Sequence, residues 1–151
     1  MNTQNSIQIL QAYATGLAAQ SMQHKVQSKV FASMGLSKLA SKYADHATEE
    51  MEWVDKFIDR IIDLGGEAKV EAAPAQKIYD NPVDFLKADL EVSTREVPIL
   101  GQAALSVAED MTTFDLLKGY YKDEEEDMYW SQEQLDLIKL IGRENWLIKQ
   151  I

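Results

Sequence analysis

Unequal connections between four long helical patterns constrain this chain more than any single motif does. Apolar residues recur at helical spacing through each pattern. The first, predicted as a helix over 6–34, carries Ile7, Leu10, Ala14, Leu17, Ser21, His24, Gln27 or Ser28, and Phe31 on one stripe. The second half of that stripe is polar for a core face. Gly35 ends it, and a helix over 36–64 starts at once through Leu36, Leu39, Tyr43, Ala47, Glu50, Val54, Phe57 and Ile61. Gly65-Gly66 closes the second helix, as glycine past a helix end commonly does. Asn81-Pro82 then supplies a cap followed by proline at the first helical position. A third helix over 82–110 follows through Phe85, Ala88, Val92, Ile99, Ala103 and Val107, with a kink expected at Pro98. Thr112 or Thr113 opens the fourth, over 113–141, through Phe114, Leu117, Tyr121, Glu124, Met128, Leu135 and Ile138. A short amphipathic tail over 143–150 holds Trp146, Leu147 and Ile148, an apolar face that has to dock somewhere.

Loop length converts these elements into a topology. Short turns at Gly35 and near Asp110 make the first and second helices, and the third and fourth, antiparallel neighbours. The segment 65–81 has little periodicity and is far longer. A helix of about 28 residues is roughly 42 Å long. A linker of about 17 extended residues reaches roughly 55 Å, enough to run back along the bundle. Helices two and three then lie parallel. The expectation is an all-α four-helix bundle with one long crossover between helices two and three, plus a short fifth helix, forming a single domain over 1–151.

Charge narrows the partners. With 25 acidic residues against 15 basic ones, the chain repels phosphate backbones, and no basic tail offsets this. Nucleic acid is therefore not an expected partner. No apolar run approaches the roughly 20 residues that span a bilayer. The N-terminus lacks the pattern of a signal peptide, and cysteine is absent, which excludes disulfides and thiolate metal sites. A cytoplasmic location without membrane contact is expected.

Carboxylates occupy core-facing positions at Glu50 on the second helix and at Glu124 and Asp127 on the fourth. A di-metal carboxylate bundle uses Glu-x-x-His pairs, because residues i and i+3 share a helix face and grip one ion. Here the i+3 residues are Trp53 and Asp127. Tryptophan offers only an N–H donor. His24 lies on the Leu17 face, and with Glu50, Glu124 and Asp127 it would give an imidazole and three carboxylates, a set acceptable to one Fe or Zn ion. The alternative is a core without metal. There His24 would hydrogen-bond Glu50 or Glu124, and the carboxyls would carry raised pKa values or pair with Arg95 or Lys25. In the run Asp123–Asp127, only Glu124 and Asp127 follow the core stripe. Tyr121 and Trp130 could relay electrons, although aromatic residues at this spacing mostly fill cores.

Several segments together resemble bacterioferritin, within the ferritin-like superfamily, over essentially the whole chain. They are Gly35-Leu36, Glu50-Met51, Phe57-Ile58-Asp59-Arg60-Ile61, Asp123-Glu124-Glu125 with Trp130, Leu135-Asp136-Leu137-Ile138, and the ending Gly142, Asn145-Trp146-Leu147 and Gln150-Ile151. The resemblance implies an iron-storage shell of 24 subunits, haem b at two-fold interfaces, and a ferroxidase centre in each bundle. It places the ferroxidase ligands at Leu17, Glu50, Trp53, Ser93, Glu124 and Asp127, of which Glu50 and Glu124 keep the family residue. Met51 falls on the haem-ligating methionine, but its pocket positions are Ala18, Ser21, Lys25 and Ala44, so stoichiometric haem is not expected. Asp45 and Glu49 fall on the wall facing the inner cavity, where carboxylates would nucleate iron mineral. The tail corresponds to a fifth helix lining the four-fold axis. The implied function is a subunit of an iron-storage shell with weak or absent ferroxidase activity, as a homo-oligomer or co-assembled with an intact bacterioferritin subunit. The rival readings are a ferritin-like compartment without a specific metal site, and a metal-dependent oxidase or peroxide scavenger using His24, Glu50, Glu124 and Asp127.

Overall fold

The computed structural model describes Met1–Ile151 as five helices without strands. They are α1 (Thr3–Ser33), α2 (Ser37–Asp63), α3 (Pro82–Ser106), α4 (Met111–Ile141) and α5 (Arg143–Ile148). No helix is long and apolar enough to cross a membrane. The start of α1 moves forward of the expected position because the Asn2 side chain accepts from the Asn5 N–H at 3.1 Å and caps it. Asp110, not a threonine, caps α4, and the preceding turn ends α3 at Ser106. Through Pro98, α3 runs on without a break.

α1 packs along α2, and α3 along α4. The crossover runs beside α1, held by glutamine side chains that serve as backbone partners. Gln11 bonds both the C=O and the N–H of Lys69, at 3.0 and 2.8 Å. Gln23 donates to Lys77 O at 3.0 Å, and the fully buried Gln27 bonds both backbone groups of Tyr79 at 2.8 Å. Partners at 11, 23 and 27 for linker residues 69, 77 and 79 mean that the crossover travels in the direction of α1. It therefore delivers α3 parallel to α2. Arg60 near the end of α2 supports the same topology by bonding Asp110 at 2.7 Å, in the α3–α4 turn. The crossover starts tightly: a Cβ on Gly66 would meet Ile7 Cδ1 at 2.9 Å.

The polar half of the α1 stripe now has a cause. Ser21 donates to Ala47 O at 2.7 Å and Ser28 to Ala40 O at 2.9 Å, so small hydroxyls stitch α1 to the α2 backbone. Apolar residues form two separate clusters, one around Leu10, Leu17, Phe57, Ile61 and Leu117, the other around Phe31, Leu39, Tyr43, Phe85 and Leu86. Between them, at the level of Ser21, His24, Glu50 and Asp89, lies a polar layer.

The tail docks on its own chain. Trp146 is fully buried in the second cluster of its own chain, its indole N–H donating to Gln134 at 3.0 Å, and Lys38 N bonds Gln150 O at 2.8 Å. The indole thus docks on its own bundle, because the end of α2 nearest Leu36 and Leu39 offers an apolar socket. Ile148 and Ile151 remain exposed.

Two substitutions test this reading. Gln27→Ala orphans the N–H and C=O of Tyr79 and should lower unfolding free energy by about 1–3 kcal/mol per group left unpaired. Trp146→Ala should cost about 3–5 kcal/mol, measured by urea denaturation, if the indole is part of the subunit core. An unchanged midpoint in either variant would contradict the corresponding contact.

Candidate functional site

His24 organises the polar layer. It is buried on α1, and both ring nitrogens face carboxylates: Nδ1 lies 2.5 Å from Glu50 Oε1 on α2, and Nε2 lies 3.2 Å from Asp89 Oδ1 on α3. Gln20, one turn earlier on α1, donates to the other Glu50 oxygen at 2.5 Å. Tyr43 donates to Asp89 Oδ2 at 3.4 Å. Two nitrogens against two carboxylates describe an imidazolium donating twice. Burial alone would push its pKa down, but the hydrogen bonds and charges of Asp89 and Glu50 outweigh burial and raise it to about 10.

The remaining acids lie on α4. Glu124 lines a cleft of about 500 Å³ between α1 and α3, together with Leu17, Gln20, Asp89, Ser93 and Tyr120. Burial, then the charges of Glu50 and Asp127, raise Glu124 to about 8. Asp127 is raised to about 7, by burial and then by Glu50. His46, on α2, packs against the rings of Tyr43 and Trp130 with its Nε2 3.5 Å from Asp127 Oδ1, outside hydrogen-bond geometry. Burial, and then the positive charges of His24 and Lys42, lower His46 to about 4.

Of the residues singled out from sequence, His24 and Glu50 are thus in contact, while Glu124 and Asp127 stand nearby without joining them. In this arrangement no group of three or more His, Asp or Glu residues is placed to hold a metal ion. Arg95 does not reach the buried carboxyls; it is exposed and pairs with Glu96 at 3.2 Å. Lys25 is exposed too. Asp123 faces the core side after all, accepting the Trp53 indole N–H at 2.7 Å. Met51, Asp45 and Glu49 are exposed on α2. Trp130 packs on Tyr43 and His46, under the Lys42 ammonium at 4.7 Å. Asp89, His46 and Gln20 were not singled out from sequence. Leu39, Tyr43, His46 and Glu50 nevertheless follow one helical stripe, and Asp89 is one turn from Phe85.

A model of the ferritin-like domain matches residues 7–141 of the chain. The chain belongs to the ferritin family. It is 35% identical to a protein named bacterial ferritin from Neisseria meningitidis serogroup B, over 132 residues covering 85% of each chain. A bacterial ferritin of Pseudomonas aeruginosa is 31% identical over 148 residues, 96% of each chain. A bacterioferritin of Brucella melitensis is 28% identical over 126 residues, 82% of this chain and 78% of that one.

The proton inventory of this ferritin-family bundle fixes the sign of its pH dependence. His24 sits at about 10 against 6.5 when unperturbed, so its stabilisation is complete below 6.5 and lost as pH rises through about 10. Glu124, at about 8 against 4.5, and Asp127, at about 7 against 3.8, also hold protons that an unfolded chain releases. His46 acts in the opposite sense, but only between about 4 and 6.5. Stability in urea, measured without added metal, should therefore fall steadily between pH 6.5 and 10, and His24→Gln should flatten the upper part of that decline. A stability that rises across this window would overturn the charge assignment.

Proposed function

We propose that the chain is a subunit of a hollow iron-storage shell whose own ferroxidase activity is weak or absent. The observation that carries this reading is the commitment of both His24 nitrogens to Glu50 and Asp89. An imidazolium has no lone pair for iron. The same contact draws Glu50 toward a cation that the protein itself supplies. Leu17 and Ser93 line the cleft beside Glu124 and offer neither carboxylate nor imidazole there. Trp53 presents an N–H donor already used by Asp123. The present donor set therefore does not fit a pair of iron ions. Membership of the ferritin family and relatives named bacterial ferritin support iron as the cargo. Storage would then rely on the exposed acids Asp45 and Glu49 as nucleation points, or on a co-assembled subunit with an intact centre.

The expected behaviour is specific. Aerobic Fe(II) should be oxidised little faster than by a Glu50→Gln/Glu124→Gln control, yet prolonged loading should give a mineral core inside particles large enough to be hollow. Rapid, saturable oxidation near two irons per subunit would contradict the closed centre. Particles that stay empty after loading would instead favour a compartment without a storage role. A chain carrying Leu17→Glu, Trp53→His, Ser93→Glu and Asp127→His, with His24→Leu to release Glu50, should gain the rapid phase.

Haem is a separate question with a separate answer. Met51 is exposed on α2, as are Ala44 on α2 and Lys25 on α1, whereas Ser21 is buried with its hydroxyl donating to Ala47 O. Ser21 therefore does not oppose a porphyrin, and Lys25 alone supplies the polar obstacle, at about 1–3 kcal/mol unless it reaches water or a propionate. Purified protein should lack a stoichiometric Soret band. A band near one haem per two subunits, lost in Met51→Leu, would show that Lys25 turns outward.

A further inference from the structure

The cleft between α1 and α3 has a lining that the storage reading leaves unused. Its volume of about 500 Å³ falls within the roughly 300–1,000 Å³ range of small-molecule pockets. Buried Leu17 on α1 and Val97 and Leu100 on α3 form an apolar wall. Tyr13 and Tyr120 add two phenol rings, packed edge to face with centroids 6.0 Å apart. Ala12 and Gly16, both exposed on α1, carry too little side chain to close the mouth, and a Cβ on Gly16 would meet nothing within 4 Å.

The charged groups of the lining are answered in all but one case. Arg95 pairs with Glu96 at 3.2 Å, and Asp89 accepts from His24 and Tyr43. Glu124 has no hydrogen-bond partner in the chain; burial and neighbouring charges alone act on its carboxyl. Gln20 spends an amide N–H on Glu50 and so has a carbonyl oxygen to offer, and Ser93 adds a hydroxyl. No lysine lines the cleft, and its one arginine is already engaged.

We propose that this cleft binds a small organic primary ammonium compound, with its charged end on Glu124 and its apolar body against Leu17, Val97, Leu100 and the two tyrosines. An ammonium group presents three donors and no acceptor, which suits the oxygens of Glu124, Gln20 and Ser93. A positive charge beside phenol rings is also favoured by the ring quadrupole. An anion would meet Asp89 and Glu124 instead of a cation. A bare inorganic cation would leave the apolar wall unused. A molecule charged at one end and carbon-rich at the other satisfies both parts of the lining. The proposal does not rest on iron storage, and no iron enters its test.

The probe is 2-phenylethylammonium, titrated by calorimetry into the full-length protein at pH 8.5, above the value of about 8 to which Glu124 is raised. One site per chain should saturate below millimolar concentration. The neutral 2-phenylethanol should bind at least tenfold more weakly, and 3-phenylpropionate should not bind. Equimolar ammonium chloride should not displace the probe. Glu124→Gln should reduce the preference for the ammonium probe over the alcohol to within about twofold. Gly16→Leu, at an exposed helical position where leucine is favoured over glycine, should obstruct the mouth and weaken the probe at least tenfold. Asp45→Asn, on the exposed face of α2, should leave binding within twofold. Circular dichroism must show the cleft variants folded. If Glu124→Gln is unfolded, Gly16→Leu and the charge series on the unmodified protein decide the matter. No saturable binding at millimolar concentration, equal affinity for the alcohol, displacement by ammonium chloride, or unchanged binding in a folded cleft variant would overturn the proposal.

Discussion

Everything at the centre of this bundle depends on where the positive charge of His24 goes. Glu50, Asp89, Glu124 and Asp127 converge on one layer from three helices, and unpaired carboxylates buried together repel one another strongly. An imidazolium clamped between Glu50 and Asp89 joins α1, α2 and α3 through two contacts, at 2.5 and 3.2 Å. The other two acids respond differently: burial and the charge of Glu50 raise their pKa values, so protons neutralise them. One internal cation plus retained protons thus perform the electrostatic task that a bound metal performs in a metal-filled bundle. This explains how so many acids coexist in a layer between two apolar clusters.

The same constraint divides the layer into two sides. Toward α1 and α3, the cleft beside Glu124 is walled by Leu17, Gln20, Ser93 and Tyr120, and the charge there is already answered by His24. Toward α2 and α4, the positive charges of His24 and Lys42 help burial to keep His46 unprotonated. A protonated His24 and a neutral His46, with ring centroids 6.0 Å apart, are therefore two consequences of one charge distribution. The first commits both ring nitrogens of His24 to carboxylates, and the second leaves the His46 Nε2 without a hydrogen-bond partner 3.5 Å from Asp127.

Much of the fold was legible because turn chemistry and helix period are local. Gly35, Gly65 and Asn81 mark their turns unaided, and linker length implied the crossover. The path of that crossover was not legible, since Gln11 and Gln23 look like solvated residues until the crossover lies beside them, and Gln27 on the core stripe does not say what it bonds. The tail was legible only in part for a similar reason: an apolar tail declares that it must be buried, but not against which surface. In the site, Glu50 and His24 were visible on their stripes, and one of the alternatives weighed for His24, a hydrogen bond to Glu50, is the contact observed. Asp89 is one turn from Phe85 and one turn before Ser93, and its part in the site shows only once α1 brings His24 to it. Which carboxylate a histidine meets is a property of three packed helices and cannot be read from any one of them.

Trp53 is held in place by several kinds of contact at once. Its indole N–H donates to Asp123 at 2.7 Å, the Lys56 ammonium lies 4.4 Å above its ring, and Phe57 and Tyr120 pack beside it. Gly119 makes room for it: a Cβ there would lie 3.0 Å from Trp53 Cη2. Exchanging this residue for histidine would do more than supply a nitrogen. It would leave a void between α2 and α4, strand the Asp123 carboxylate, and remove contacts from Tyr120, whose ring also packs on Tyr13 across the bundle. A cavity of that kind costs stability in proportion to how little the surroundings collapse. The indole and its four supports therefore behave as one packed unit, and a histidine at this position would cost the fold less if Gly119 and Asp123 changed with it.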